Sequence, residues 1–457
     1  MSSDEDIYTP MYEPMYSLPP TEDDFRNDKI LDEYMSREII LESEEGMKRR
    51  SKALAELLLI FKKWVSYVAQ TVHGMSEEEA RDAGGEFLVS GSHKLGVRDK
   101  GADIDTVCVA PKFCDREHFF TSFKERLLQN PAVTELNAIE DAAVPMIGME
   151  FQGIAIDLLF ARLSTDKVPP NLMDDSVLQN VDSATEKSLN GPRVTNMFPK
   201  LICRDPHLSD VQAEKVFLEG PFLPVLRCVR KWAKARGIYG NVFGYLGGIN
   251  FNILIAFTRQ LYPTASRSQL LQKFFGIFAL WPWPDPILLN KIKKKSNENK
   301  AVWEEGGRDL MPIITPAYPA FNSSYNVSEQ TLRVMKEEFT RAYEICKCIT
   351  GDFPTKAWED LFEPSDFFIR YDRYLKCNIV SSGNTSWQGF VESKLRHFPS
   401  RYLAQLPIKQ VHLFPVKFKT SNNSCCFFIG FNNDIGRIKG DEISIEKRVL
   451  QFRLVLH

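Results

Sequence analysis

The sequence predicts an α+β protein of several domains, with a mixed N-terminal domain, a helical central domain and a small α+β domain at the C-terminal end. Its 457 residues are enough for two to four domains at about 100–200 residues each. Short strand-like segments occur between residues 86 and 159 and again after residue 366, whereas the region from 166 to 362 is mainly helical in pattern. A composition of 44% hydrophobic and 26% charged residues is typical of globular proteins and excludes fibrous or wholly disordered chains.

The composition also argues against membrane, secreted and zinc-binding proteins. No stretch approaches the roughly 18 consecutive apolar residues of a membrane-spanning helix. The acidic N-terminus lacks the basic start and apolar core of a secretory signal. The nine cysteines include no C-x-x-C pair, which is unlike a disulfide framework or a structural zinc site. We therefore expect a soluble intracellular protein with reduced thiols and no membrane association.

Hydrophobic periodicity predicts the individual elements. Apolar residues recur at spacings of three and four between residues 48 and 72, which predicts a helix with one apolar face. Segments 86–90, 104–109 and 154–159 are short and mainly apolar, as strands are. Proline-containing loops near residues 169, 220 and 282 divide the helical region. The runs 411–418 and 425–430 predict strands in the C-terminal domain.

Three aspartates form the candidate chemical centre. Asp103 and Asp105 are two residues apart at a predicted strand, so their side chains should point to the same face. Asp157 lies inside a second apolar strand, where burying an unpartnered carboxylate is costly. Carboxylates this close repel each other unless a cation lies between them, and their oxygens suit Mg²⁺. A D-x-D pair alone is more often a solvated strand end, but the third acid favours a metal site.

A glycine turn precedes these acids. In Ser90-Gly91-Ser92 the glycine allows the backbone to approach a phosphate closely, with its N–H groups available for binding. The sequence contains no G-x-x-x-x-G-K-[ST] segment, so this is not a P-loop enzyme. The turn and the acids together therefore predict a metal-dependent enzyme that acts on a phosphate-bearing substrate.

The longer pattern resembles the eukaryotic poly(A) polymerase family, within the nucleotidyltransferase superfamily of DNA polymerase beta. The resemblance is carried by residues 90–110, 119–123, 154–163, 188–191 (SLNG), 244–249 and 311–319 (MPIITPAYP), and residues 362–371 and 391–394 resemble the start of that family's RNA-binding domain. It implies a flexible tail over 1–16 and a segment 17–49 that packs with the central domain. It further implies a polymerase-beta-like nucleotidyltransferase domain over 50–165, a helical central domain over 166–362 and an RRM-like domain over 363–457.

The resemblance also implies an activity and its residues. The family adds AMP units from ATP to the 3′-hydroxyl of RNA without a template, using two divalent ions, Mg²⁺ or Mn²⁺. Asp103, Asp105 and Asp157 match the catalytic metal ligands of the family. The implied contacts to ATP are these three together with Ser90, Gly91, Ser92, Asp99, Ile104, Asn190, Arg230, Lys234, Tyr239, Asn241, Gly248, Ile249 and Thr315. Arg230 stands where the family has lysine, and its planar fork still neutralises phosphate but with different geometry.

Charge is distributed unevenly along the chain. Residues 1–46 contain 14 acidic and 3 basic residues, a net charge of −11, whereas residues 366–457 contain 14 basic and 7 acidic residues, a net charge of +7. This asymmetry is consistent with a polyanionic partner such as the 3′ end of RNA, or with a chance excess of surface lysine. The family resemblance alone implies a nuclear location, a monomer and partners among 3′-end processing factors.

Two other functions stay open at this point. One is a terminal transferase of different nucleotide preference, such as a uridylyl- or CCA-adding enzyme, which the MPIITPAYP segment and the basic C-terminal region disfavour. The other is a catalytically silent paralogue that acts as an RNA-binding scaffold, which the presence of all three aspartates disfavours. Extension of an RNA primer with each nucleotide distinguishes the three possibilities.

Overall fold

The computed structural model describes residues 8–15, 18–97, 99–140, 144–203, 208–294, 300–349, 354–381, 385–404, 406, 408–421, 424–433 and 445–456. These residues form an N-terminal α+β part built on a five-stranded sheet, a helical middle, and a C-terminal part built on a three-stranded sheet. None of the described helices is long and apolar enough to cross a membrane.

The N-terminal sheet has the order β1-β2-β5-β4-β3, in which β2 and β5 are parallel and the other neighbours are antiparallel. A single π-helical turn (Phe119–Phe123) lies among the helices of this part. The elements are α1 (Glu22–Glu38), α2 (Glu44–His73), α3 (Glu77–Asp82), β1 (Glu86–Val89), α4 (Gly91–Lys94), β2 (Ile104–Ala110), α5 (Arg116–His118), α6 (Lys124–Leu128), β3 (Val133–Ile139), β4 (Met146–Phe151) and β5 (Ile154–Arg162).

Helix α2 contains the helix predicted over 48–72. It begins after Ser43, whose side chain accepts the N–H of Gly46, and ends at Gly74, whose left-handed φ of 63° suits glycine. Its apolar face is buried against the sheet and includes Phe61 and Trp64, both without solvent exposure. This packing of a helix on one face of the sheet forms the N-terminal core.

The helical middle surrounds a second, aromatic-rich core around Trp232. Its helices are α7 (Ser183–Cys203), α8 (Asp210–Glu219), α9 (Phe222–Ala235), α10 (Gly248–Leu261), α11 (Arg267–Leu280), α12 (Glu329–Lys347) and α13 (Pro354–Leu361). The polar connection to the N-terminal segment runs through Asp28 of α1, which accepts hydrogen bonds from the backbone and hydroxyl of Ser268 at 2.7 and 2.6 Å. Segment 17–49, predicted to pack with the central region, therefore contacts it here.

The tail predicted to be flexible over 1–16 is only partly described. Residues 1–7 and 16 lie outside the described residues. Over 8–15 the chain is held on the helical middle, because Met11 N–H donates to the Leu289 carbonyl at 3.2 Å and Met15 N–H to the Leu261 carbonyl at 2.8 Å. Backbone pairing of this kind is independent of side-chain composition, which is why the acidic, proline-containing sequence does not reveal it.

The C-terminal part has an antiparallel sheet in the order β6-β8-β7. Its elements are α14 (Phe367–Arg370), β6 (Arg373–Val380), α15 (Thr385–Leu395), β7 (Ile408–Ser421), β8 (Ser424–Asn433) and α16 (Ile445–Leu456), with a π-helical turn at Phe398–Leu403. The predicted strands 411–418 and 425–430 lie within β7 and β8. The described residues thus supply three strands, whereas an RRM has four.

Candidate active site

The three aspartates meet at the end of two neighbouring strands. Asp105 on β2 and Asp157 on β5 lie directly opposite each other in the parallel register, and Asp103 immediately precedes β2. One carboxylate oxygen from each of the three lies within 4.8 Å of the other two. The strand register therefore assembles what the sequence spacing could only suggest, which is a single cluster of three acids.

The electrostatics of this cluster favour a bound cation. Burial and the nearby charge of Asp103 raise the pKa of Asp105 to about 6, although the Arg230 guanidinium opposes the rise. Burial and the two neighbouring carboxylates raise the pKa of Asp157 to about 7. Because negative charge is crowded here and incompletely neutralised, and because all donors are carboxylate oxygens, the site fits a hard divalent ion such as Mg²⁺ or Mn²⁺.

Two glycines leave the space that the carboxylates occupy. A Cβ atom on Gly91 would lie 2.3 Å from Oδ2 of Asp105, and Gly91 has a left-handed φ of 64°. Gly148 pairs with Asp157 across β4 and β5, and its Cβ would lie 3.1 Å from Oδ1 of that residue. Gly91 was predicted as a phosphate contact. Gly148 was missed, since only the strand register shows its proximity to the acid.

The glycine turn is attached directly to the acid cluster. Ser90 N–H donates to the Asp105 carbonyl at 2.9 Å, so a backbone hydrogen bond joins the turn to the strand of the D-x-D pair. Ser90 is buried and its side chain faces Gly191 of the SLNG segment on α7. The turn that the sequence associated with phosphate thus lies between the aspartates and the helical middle.

Helix α9 supplies a cationic wall, formed by Arg230 and Lys234, beside the acid cluster, where the Arg230 charge opposes the rise in the pKa of Asp105. Arg230 Nη2 donates to Asp99 Oδ2 at 2.9 Å, and Lys234 Nζ lies 3.7 Å from the same oxygen. Both cations lie over the ring of Tyr239, at 5.7 and 5.4 Å from its centroid. A Cβ on Gly248 would be 3.4 Å from both Arg230 Nη1 and the Tyr239 hydroxyl. Five residues predicted as ATP contacts are therefore brought together.

Three other predicted contacts form hydrogen bonds with the loop that precedes α12 or within it. Asn190 Nδ2 donates to the Pro319 carbonyl at 3.3 Å, and Thr315 Oγ1 accepts the Phe321 N–H at 2.9 Å. The Asn241 carbonyl accepts from the side-chain amide of Asn326 at 3.1 Å. These residues shape the wall formed by residues 311–326, which contains the MPIITPAYP segment.

Three predicted contacts remain: Ser92 lies in α4, where its carbonyl accepts the Val97 N–H at 3.0 Å, and the other two are aliphatic. Ile104 is fully buried in the core of the N-terminal sheet, so only its backbone is available to a ligand. Ile249 is partly buried against the central core. Neither side chain offers a polar group, which limits both residues to backbone or van der Waals contact.

Two arginines outside the predicted set of site residues hold the loop before Asp103. Arg227 of α9 donates to the carbonyls of Gly96 and Val97 at 3.0 and 2.9 Å. Arg50 of α2 donates to the Ala102 carbonyl at 2.7 Å. The partners are separated by 52 residues for Arg50 and by 130 for Arg227. No local pattern could have revealed these contacts.

A glycine turn followed by three clustered aspartates, two on neighbouring parallel strands and one just before the first strand, beside a cationic helix, defines a nucleotidyltransferase of the polymerase-beta type. Two family models match the chain: "Poly(A) polymerase nucleotidyltransferase domain" over residues 11–202 and "Poly(A) polymerase central domain" over residues 221–364. Together with the relatives described next, these matches show that the chain belongs to the poly(A) polymerase family.

Three named relatives are similar over most of this chain. Nuclear poly(A) polymerase 1 of Arabidopsis thaliana is 38% identical, over 96% of this chain and 61% of its own length. The poly(A) polymerase of Dictyostelium discoideum is 36% identical, over 99% of this chain and 56% of its own length. Poly(A) polymerase PAPalpha of Candida albicans is 36% identical, over 84% of this chain and 68% of its own length. The chain thus spans about three fifths of the length of the first two relatives.

Proposed function

We propose that this protein is a template-independent poly(A) polymerase that transfers AMP from ATP to the 3′-hydroxyl of RNA and releases pyrophosphate. The observation that carries the proposal is the acid cluster, in which one carboxylate oxygen from each of Asp103, Asp105 and Asp157 lies within 4.8 Å of the others. The cations of α9 lie close enough to act on these acids electrostatically. Carboxylates that hold divalent ions and cations that bind phosphates are the two requirements of nucleotidyl transfer. The names of the relatives support adenylyl transfer as the specific reaction.

Each group has a distinct task in this reaction. Asp103, Asp105 and Asp157 hold Mg²⁺ or Mn²⁺. When bound there, divalent ions lower the pKa of the attacking hydroxyl and neutralise charge on the α-phosphate and the leaving pyrophosphate. Arg230 and Lys234 neutralise the triphosphate through the wall that they form with Tyr239. The turn Ser90-Gly91-Ser92 offers backbone N–H groups and hydroxyls to the same phosphates.

The base and ribose of ATP lie, in this proposal, against the helical middle. Gly248 permits close approach because it has no Cβ, which would lie 3.4 Å from side-chain atoms of Arg230 and Tyr239. The backbone of Ile249 follows directly, at the start of α10. The wall formed by Asn190, Asn241 and Thr315 supplies amide and hydroxyl groups of the kind that distinguish bases by hydrogen bonding.

The RNA partner is assigned to the C-terminal part, whose net charge of +7 over residues 366–457 favours a polyanion. A nuclear location is supported by relatives named nuclear poly(A) polymerases. A monomeric enzyme that cooperates with 3′-end processing factors is the expectation from family resemblance. We retain the domain boundaries 50–165, 166–362 and 363–457 as part of the proposal, in which α7 belongs to the central domain and packs on β5 of the N-terminal sheet as well as on α10.

The test is primer extension with purified protein, an oligo(A) primer, and each of ATP, CTP, GTP and UTP in turn, with Mg²⁺ or Mn²⁺. We expect extension with ATP and little with the other three nucleotides. Preferential use of UTP or CTP would show a terminal transferase of different specificity. Absence of extension with either ion would favour an RNA-binding scaffold over an enzyme.

A further inference from the structure

One acidic side chain lies inside the cationic wall. Asp99 Oδ2 accepts a hydrogen bond from Arg230 at 2.9 Å and lies 3.7 Å from the Lys234 ammonium. The Asp99 side chain is 20% exposed and that of Arg230 is 10% exposed. Pairs in such partly buried positions are screened by solvent much less than surface pairs. A carboxylate therefore neutralises the same two cations that the proposed function assigns to a triphosphate.

The two cations need a counter-charge when no phosphate is bound. Arg230 and Lys234 are four residues apart on α9 and lie on one face, where like charges are destabilising. Burial and the neighbouring Arg230 lower the pKa of Lys234, whereas the Asp99 carboxylate raises it. Asp99 thus contacts both cations, at 2.9 and 3.7 Å, and offsets their repulsion, and the charge of Asp103 adds to this effect at Lys234.

The backbone holds Asp99 in this position from both sides. Asp99 forms an antiparallel bridge with Leu41, and Lys100 N–H donates to the Ile40 carbonyl at 3.4 Å. The Asp99 carbonyl accepts the Ala102 N–H at 3.2 Å. Since the backbone is fixed, the carboxylate can leave the cations by rotation of its side chain and without movement of the loop that carries Asp103.

We propose that Asp99 is an internal counter-ion that neutralises Arg230 and Lys234 when no nucleotide is bound, and that an incoming triphosphate must displace it from both. This inference rests on the proposed function, because it takes Arg230 and Lys234 as the phosphate-binding cations. It also changes the role of Asp99, which the family resemblance placed among the contacts to ATP. A carboxylate beside phosphate oxygens repels them, so Asp99 lowers affinity for the triphosphate rather than supplying it.

The sign of this effect distinguishes the two roles. If Asp99 is a counter-ion, Asp99→Asn frees both cations and removes a like charge, so phosphates bind more tightly. If Asp99 instead binds the nucleotide directly, for example through a ribose hydroxyl, the same substitution weakens binding. Asparagine keeps the size and shape of the side chain, so the substitution changes mainly the charge.

The experiment measures equilibrium binding of ATP and of inorganic tripolyphosphate, at fixed free Mg²⁺, to the wild type and to Asp99→Asn. We expect Asp99→Asn to bind both ligands about tenfold more tightly, the effect of removing one screened like-charge contact. The matched control is Glu38→Gln. It also removes an acid paired with a cation of α9, because Glu38 lies 2.9 Å from Lys231, but Lys231 is not one of the two cations that Asp99 contacts. We expect the control to bind both ligands as the wild type does.

Unchanged or weaker binding of tripolyphosphate by Asp99→Asn would overturn the proposal, as would the absence of tripolyphosphate binding by all variants. Thermal unfolding of each variant without ligand checks folding, and Asp99→Ser serves as a second variant with the same expected direction. Tripolyphosphate carries no base, so its result is independent of nucleotide choice. A protein that fails to extend primers with ATP and still shows tighter tripolyphosphate binding in Asp99→Asn would refute the polymerase proposal alone.

Discussion

Gly91 provides the sharpest test of the acid cluster, because one methyl group placed there meets a single carboxylate oxygen of Asp105. In Gly91→Ala the new Cβ would lie 2.3 Å from Oδ2 of Asp105, and the carboxylate would have to retreat by about 1 Å to restore ordinary contact. A misplacement of about 1 Å in a reacting group costs roughly 100-fold in rate, which corresponds to about 2.7 kcal/mol of transition-state stabilisation. The left-handed φ of 64° adds a folding cost of roughly 1–2 kcal/mol for alanine.

The chain offers a matched control for the backbone cost. Gly74, at the end of α2, has nearly the same left-handed φ of 63°, and a Cβ there would meet no heavy atom within 4 Å. Gly74→Ala should therefore lose a similar roughly 1–2 kcal/mol of stability and keep its activity. Comparison of the two variants separates backbone strain from displacement of the Asp105 carboxylate.

The assays are urea unfolding, for the free energy of unfolding, and initial rates of primer extension with ATP. A third measurement, Mn²⁺ binding to each variant, should show weaker binding by Gly91→Ala alone, because Asp105 is one of the three carboxylates of the site. Equal extension rates for Gly91→Ala and Gly74→Ala would refute the reasoning. Equal rates would mean either that the Asp105 carboxylate has no role in extension or that it can move by about 1 Å without loss of activity.

Three further predictions concern the site and the fold. Asp105→Ala should abolish extension but leave the metal-free protein at least as stable, since it removes a repelling carboxylate; residual extension above about 1% would contradict the metal assignment. Arg236→Met should lower the free energy of unfolding by about 3–5 kcal/mol, because it leaves Glu338, whose side chain is 3% exposed, as a buried charge without its partner Arg236. Adding Glu338→Leu to this variant removes that charge and should restore much of the loss in a denaturant titration. Burial lowers the pKa of His412 from 6.5 to about 3, so the neutral buried imidazole stabilises the fold above pH 6.5. The free energy of unfolding should therefore fall as the pH drops towards 3, by at most about 1.4 kcal/mol per pH unit, and His412→Gln should show a smaller loss between pH 7 and 4.5.

Local sequence patterns account for the elements and for the acids. The apolar spacing over 48–72 predicts α2 because one helix face packs against one sheet, and the observed helix is Glu44–His73. Short apolar runs predict the strands that carry Asp105 and Asp157, because β2 is buried along almost its whole length and β5 mainly at alternate residues. In each case burial leaves a local apolar signal in the sequence.

Contacts between distant segments leave no such signal. Arg50 and Arg227 hold the loop before Asp103 through backbone carbonyls, which any residue provides, so the sequence of the loop does not reveal them. Gly148 is one residue among many in a strand until the β4–β5 register places it opposite Asp157. The pairing of Asp99 with the α9 cations joins residues 131 positions apart. These features depend on tertiary packing and become visible only in the folded chain.

The same contacts explain why the site depends on three segments of the chain. The strands of the N-terminal sheet supply the aspartates, and α9 of the helical middle supplies the cations. Segment 38–50 joins them, through Glu38 with Lys231, the bridge between Leu41 and Asp99, and the hydrogen bond from Arg50 to Ala102. Because this segment contacts both the loop before Asp103 and helix α9, it helps to set the distance between the acid cluster and the α9 cations. Arg50→Met, which removes the hydrogen bond to the Ala102 carbonyl, should therefore weaken the binding of metal and of triphosphate together in the same binding assays, although Arg50 belongs neither to the acid cluster nor to the α9 cations. Glu38→Gln should change neither, because the Glu38–Lys231 pair is partly exposed and such pairs contribute little.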